Sequence, residues 1–172
     1  FSILPALQHN PQFELTTTGA ATSVVFAAWV DTPPFDDVRV RKALKMVIDR
    51  NVMVETALLG FGVIGDDNPI PPGTHYAWRD DVPAQDIEGA RALLAEAGYN
   101  ESNPLVVELY TTEYIPGATL LAQIFKEQAA EAGIRLQLVI GPPSEHWDNV
   151  WLKQPFVGSG WLMRPPGEAF TI

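Results

Sequence analysis

"PLVVELYTTEYIPGATLLAQIFKEQAAEAGIRLQLVI", residues 104–140, decides the fold. "PLVVELYTT" reads as a strand, an apolar run that stops at a polar end. "PGATLLAQIFKEQAAEAG" reads as a helix, with Pro116 in its first turn and Gly133 just past its end. "IRLQLVI" is a second strand. Strand, helix, strand with short links is a βαβ unit, so the two strands are expected to run parallel with a right-handed crossover.

Similar signals extend in both directions. "DIEGARALLAEAG" is a helix capped by Asp86 and closed by Gly98, with Ile87, Ala90, Leu93, Leu94 and Ala97 on one face. In "VRVRKALKMVIDR" the positions Val40, Ala43, Leu44, Val47 and Ile48 keep the 3.6-residue period after a cap at Asp36 or Asp37. A further helix over roughly residues 51–59 ends at Gly60. "FELTTT" from Phe13 and "TSVVFAAWV" from Thr22 read as strands joined by a turn at Gly19, and residues 1–12 read as a linker. Residues 60–85 are irregular and rich in proline, the kind of long loop that serves a function or wraps a neighbour. A short helix capped by Ser144 is expected around "SEHWDNVWLK", then a last strand at "PFVGSGW". The expected class is α/β, a mixed sheet with helices packed on its faces.

Composition narrows the function. The 172 residues are 47% hydrophobic and 19% charged, which suits one domain with a real core. The net charge of −10 opposes a nucleic-acid or anionic-membrane partner. Cysteine is absent, so no disulfide, thiolate nucleophile or thiolate metal site exists. No run reaches the ~20 apolar residues that span a bilayer. The chain begins at Phe1 without a basic leader, and the expectation is a piece of a longer protein.

Three constellations carry candidate chemistry. Arg39, Arg41, Lys42, Lys45 and Arg50 hold five of the eleven basic residues; a nucleic-acid helix is one reading and a solvated helix face the better one. Glu145, His146 and Asp148 offer a hydrolase reading, yet on a helix 145 and 148 are neighbours while 146 points away, and His9 and His75 have no partners in sequence. No metal motif is present. The tryptophans are more informative. Trp147 and Trp151 are four apart, on one helical face, and Trp161 follows a strand later, close to Met163 and Arg164. Together they fit either a packed core or an aromatic-walled pocket with one charged anchor.

A resemblance then enters at "PPFDDVRVRKALKMVIDR". Pro33, Pro34, Phe35, Asp37, Arg39, Val40, Arg41, Ala43, Leu44, Ile48, Asp49 and Arg50 resemble the pattern of the extracytoplasmic solute-binding proteins of peptide- and nickel-type ABC transporters, family 5. "NPIPPGT" from Asn68, "ARALLAEAGY" from Ala90, "GIRLQL" from Gly133 and Gly160-Trp161 continue it in order, over about residues 10–172. The resemblance implies a periplasmic-binding-protein-like lobe at residues 13–172, the second of two, with residues 1–12 crossing from a first lobe that this chain lacks. It implies no enzyme and no cofactor or metal. It implies a monomer that captures a peptide or related carboxylated solute between its lobes and passes it to a membrane permease, in the periplasm or lipid-anchored on the outer face of the cytoplasmic membrane. The ligand-binding residues it implies are Trp161, Met163, Arg164, Trp147, Trp151 and, from its place at a strand end, Tyr114. In the family's peptide binders an Asp three residues past the Trp pairs with the ligand's α-amino group. Arg164 stands there in this chain, which implies a carboxylate or other anion instead.

Overall fold

The computed structural model describes residues 6–7, 10–14, 16, 22–65, 67 and 84–162. Four strands form one sheet in the order β1-β4-β2-β3, where β1 is Thr22–Ala28, β2 Val106–Thr112, β3 Arg135–Gly141 and β4 Phe156–Leu162. β2 runs parallel to β3 and to β4, and β4 runs antiparallel to β1. The crossover from β2 to β3 is helix α4, Ala118–Glu131, as the βαβ reading requires. Half of the strand expected from Phe13, residues 15, 17 and 18, lies outside the described residues. Phe13, Glu14 and Thr16, which are described, belong to no strand.

Each helix starts where the sequence supplies an acceptor for its free N–H groups. α1, Val38–Met46, is capped by Asp37, whose carboxylate accepts the Arg39 N–H at 2.8 Å. α2, Arg50–Ala57, is capped by Asp49, which accepts from Asn51 and Val52. α3, Ile87–Glu96, is capped by Asp86, which accepts the Gly89 N–H at 2.8 Å. Such a cap is worth about 1 kcal/mol. α4 differs from expectation. It begins at Ala118, after Pro116 rather than around it, because Gly117 takes φ 89° and the Glu113 carboxylate accepts the N–H groups of Gly117 and Thr119. Burial would raise the Glu113 carboxyl, but hydrogen bonds from Thr119 and Gly117 outweigh it and hold the group below its ordinary value.

The core lies between the helices and one face of the sheet. Val107 and Leu109 of β2, Leu136 of β3 and Phe156 of β4 meet Val40 and Leu44 of α1, Met53 of α2, Leu94 of α3 and Phe125 of α4. Phe125 is 1% exposed, with Phe26 stacked on it at 4.9 Å and Phe156 edge-on at 6.3 Å. Gln128, also buried, ties α4 to the start of α2 by accepting the Asp49 N–H and donating to the Asp49 carbonyl. Period-2 alternation sends the other half of each strand to the opposite face. Register places Thr112 and Tyr110 of β2, Val157, Ser159 and Trp161 of β4, and Val25 of β1 together there.

Candidate functional site

β2, β3 and β4 all end on the same side of the sheet, the side where open α/β sheets hold ligands. Two segments gather over that end: the loop 113–117 after β2, and residues 143–154 after β3. The second is not the helix expected from the sequence. A single tight turn, Pro143–Glu145, leads into one wide turn, His146–Val150, closed by the Trp151 N–H donating to the His146 carbonyl at 2.8 Å. Ser144 does not cap it. Trp151 has already left helical geometry (φ −63°, ψ 128°), so the two indoles part. Trp147 packs edge-on against Tyr114, with ring centres 5.1 Å apart, whereas Trp151 packs against Trp161 at 6.2 Å. The single aromatic face expected from the four-residue spacing is therefore two aromatic pairs.

"GSG", residues 158–160, explains how the loop after β2 comes so close. Both glycines face the helix side. A Cβ on Gly158 would lie 2.9 Å from Thr111 Oγ1, and one on Gly160 would overlap the Ile115 side chain. Ser159, between them, faces the site. Its hydroxyl lies 2.9 Å from His146 Nε2, and Thr112 Oγ1 lies 3.1 Å from His146 Nδ1. Neither hydroxyl stood out in the sequence. The cue was the lone hydroxyl residue between two glycines in a strand, opposite a strand that ends in Thr-Thr.

His146 is fully buried, and burial pushes its imidazole below the ordinary 6.5 toward the neutral form. Its ring stacks face to face with Tyr114 at 4.6 Å and 7°, and Trp147 meets its edge at 4.9 Å. The Glu145–His146–Asp148 arrangement does not form. Both ring nitrogens point to hydroxyls, Glu145 accepts from Asn149, and Asp148 is exposed. A sealed imidazole between two buried hydroxyls has no path to a substrate.

Tyr114 is 42% and Trp147 53% exposed, so this pair presents ring surface outward. Trp161 is half-buried; among the described residues its buried Nε1 has no acceptor, and the buried Thr111 Oγ1 has no partner either. Met163 and Arg164 lie outside the described residues. The basic helix is tied into the protein's own surface. Arg39 pairs with Asp37 and donates to the Glu96 carbonyl, Arg41 donates to the Phe35 and Asp36 carbonyls, and Arg50 and Lys45 both pair with Asp67. That ties up four of the five side chains of the cationic stripe a nucleic-acid helix needs. Among the described residues no group of three or more His, Asp or Glu side chains could hold a metal.

A sequence model of bacterial extracellular solute-binding proteins, family 5 (middle), matches residues 2–170. The dipeptide-binding protein of Escherichia coli (strain K12) is 32% identical over 114 residues, 64% of this chain and 21% of that protein. Its glutathione-binding protein is 30% identical over 132 residues, 77% of this chain and 25% of that protein. Heme-binding protein A of Haemophilus influenzae is 33% identical over 98 residues, 56% of this chain and 18% of that protein. The chain thus spans a quarter or less of the length of these relatives. Among solved structures, the dipeptide binding protein from Pseudoalteromonas sp. SM9913 in complex with Met-Leu matches with a TM-score of 0.83 at 21% identity, over 98% of this chain and 34% of that one. NikA from Staphylococcus aureus in complex with Ni(L-His)2 matches with a TM-score of 0.79 at 19% identity, over 92% of this chain and 34% of that one. The architecture is that of a periplasmic-binding-protein lobe, in a family of non-enzymatic solute-binding proteins. With the family match running through nearly all of its length, the chain belongs to the bacterial extracellular solute-binding proteins of family 5.

Proposed function

We propose that this chain is one lobe of a two-lobed, monomeric solute-binding protein outside the cytoplasmic membrane, periplasmic or lipid-anchored. Residues 1–12 cross from the other lobe, and residues 13–172 form this one. The lobes close on a peptide or other carboxylated small solute and hand it to an ABC transporter permease; no cofactor takes part. The observation that carries this reading is the exposed Tyr114–Trp147 pair at the end of the parallel strands, a ring surface built on a rigid base and offered to solvent. Relatives that bind dipeptides and glutathione support the solute class. Trp161, Trp151, Met163 and Arg164 complete the proposed wall. Arg164 selects a carboxylate, since a guanidinium forks onto two carboxylate oxygens and repels an ammonium.

The test uses the two-lobed protein, purified without refolding. Its carried solute is released and identified by mass spectrometry, and the emptied protein is titrated with Met-Leu and with N-acetyl-Met-Leu, which lacks the ammonium. The expected result is a carboxylated solute, with the acetylated peptide binding at least as well as the free one. Arg164→Ala should weaken both by about 10- to 100-fold, the size of a lost charge-assisted hydrogen bond. A preference for the free amine, or unchanged binding in both Arg164→Ala and Trp147→Ala, defeats the reading.

A further inference from the structure

We propose that His146 is the positioning residue of the aromatic rim: it joins the end of β2 and the middle of β4 to the turn after β3 and sets where Tyr114 and Trp147 stand, without touching the solute. The inference rests on the functional reading above for its consequence, and on the geometry alone for its mechanism.

Three separated parts of the chain converge on one ring. Thr112 is the last residue of β2, Ser159 is the middle residue of β4, and His146 opens the wide turn after β3. Thr112 and Ser159 share a face of the sheet but do not bond to each other; the imidazole spans them, with Nδ1 at 3.1 Å from one hydroxyl and Nε2 at 2.9 Å from the other. A neutral imidazole has one donor and one acceptor nitrogen, and two rotatable hydroxyls serve either tautomer. Thr112 Oγ1 also accepts the Tyr114 N–H at 3.3 Å, so the same hydroxyl orients the loop that carries Tyr114. The imidazole faces then do the rest. Tyr114 lies flat on one of them and Trp147 abuts the edge. Neither rim residue lies in a strand or an α-helix; Tyr114 is in a loop and Trp147 in a single wide turn. Among the described residues the charged groups around the ring leave it no ionic partner: Glu113 is turned to Gly117 and Thr119, Glu145 to Asn149, and Asp148 to solvent. The anchoring is therefore by neutral hydrogen bonds and stacking, both of which depend on distance and ring orientation.

The test separates tethering from packing. Thr112→Val keeps the shape and loses the hydroxyl, whereas Thr112→Ser keeps the hydroxyl and loses a methyl. His146→Phe keeps a stacking ring and loses both tethers. In the two-lobed protein, the Trp147 contribution to near-ultraviolet circular dichroism is taken as the difference from Trp147→Phe, and affinity is read with N-acetyl-Met-Leu. Thr112→Val and His146→Phe should lose the Trp147 signal and weaken the peptide by about fivefold, the size of one net hydrogen bond. Thr112→Ser should recover both readouts. If Thr112→Val keeps the signal, or Thr112→Ser loses it as badly as Thr112→Val, packing holds the rim and the proposal falls. Should His146→Phe not fold, the Thr112 pair decides alone. Should the wild-type protein carry no carboxylated solute and bind neither peptide, the functional reading fails while the dichroism arm still settles the role of His146.

Discussion

The two faces of the one sheet are held by different forces, although the same strands build both. On the helix side, Val107, Leu109, Leu136 and Phe156 close on Phe125 and Phe26, and shape and apolar area carry the stability. On the other side, at the end of β2 and the middle of β4, Thr112 and Ser159 close on His146, and the contacts are hydrogen bonds and oriented rings. The first face needs volume and tolerates no gap. The second needs specific atoms at specific places, and it leaves Tyr114 and Trp147 uncovered. Each alternating strand thus turns one side to the core and the other to the site, which keeps the site rigid without burying it.

The strongest test of this division is Phe125→Ala. Removing a ring that is 1% exposed should cost about 3–5 kcal/mol and lower the melting temperature by roughly 6–20 °C. Below the transition the Trp147 dichroism should stay as in the wild type. A lost Trp147 signal in the folded variant would mean that the two faces are mechanically coupled.

Gly160→Ala should couple them deliberately. Its new methyl meets Ile115, in the loop that also carries Tyr114. Overpacking there should cost about 1–3 kcal/mol and change the rim signal as well as the stability. Adding Ile115→Ala should recover much of both, and strict additivity of the two changes would show that this contact does not set the loop.

Acid should loosen the site before it loosens the helix side. His146 has its folded pKa pushed below 6.5 by burial, so the unfolded chain binds more protons as pH falls past that value. Its contribution is complete above pH 6.5 and is lost on acidification below it. Asp37 behaves in a lower window. The Arg39 side chain, and then the Arg39 N–H, hold its carboxyl at about 2 against an ordinary 3.8, so the α1 cap persists above pH 3.8 and is lost toward pH 2. Because Asp37 is only partly buried and its Arg39 partner is open to solvent, this is the smallest of the expected effects. Stability followed against pH should lose the upper step in His146→Phe and the lower step in Asp37→Asn. A single step unaffected by either change would contradict the assignment.

Much of the helix side was legible from local pattern. The βαβ unit, the caps at Asp37 and Asp86 and the glycine stops at Gly98 and Gly133 depend on residues a few positions apart, and each appears where spacing put it. α2 begins one residue earlier and ends two residues sooner than the pattern indicated, with Leu59 and Gly60 in left-handed geometry. The site was legible only in part. Tyr114, Trp147, Trp151 and Trp161 do gather at the strand ends, but as two pairs. A regular helix would have kept Trp147 and Trp151 on one face, and nothing local to residues 144–153 announces the wide turn that separates them. His146 drew attention as a possible acid–base group because Glu145 and Asp148 stand beside it in sequence. Its actual partners are 34 residues before it and 13 after it.

The sequence by itself determined the α/β class and the apolar side of the sheet, since period, capping and turn chemistry are properties of neighbouring residues; the family came from the resemblance of its motifs and the family match over residues 2–170. Only the tertiary structure decided what His146 does, which tryptophans meet and why Gly158 and Gly160 flank Ser159. Those facts depend on register between β2 and β4, and register is set by the whole packed sheet rather than by any one strand.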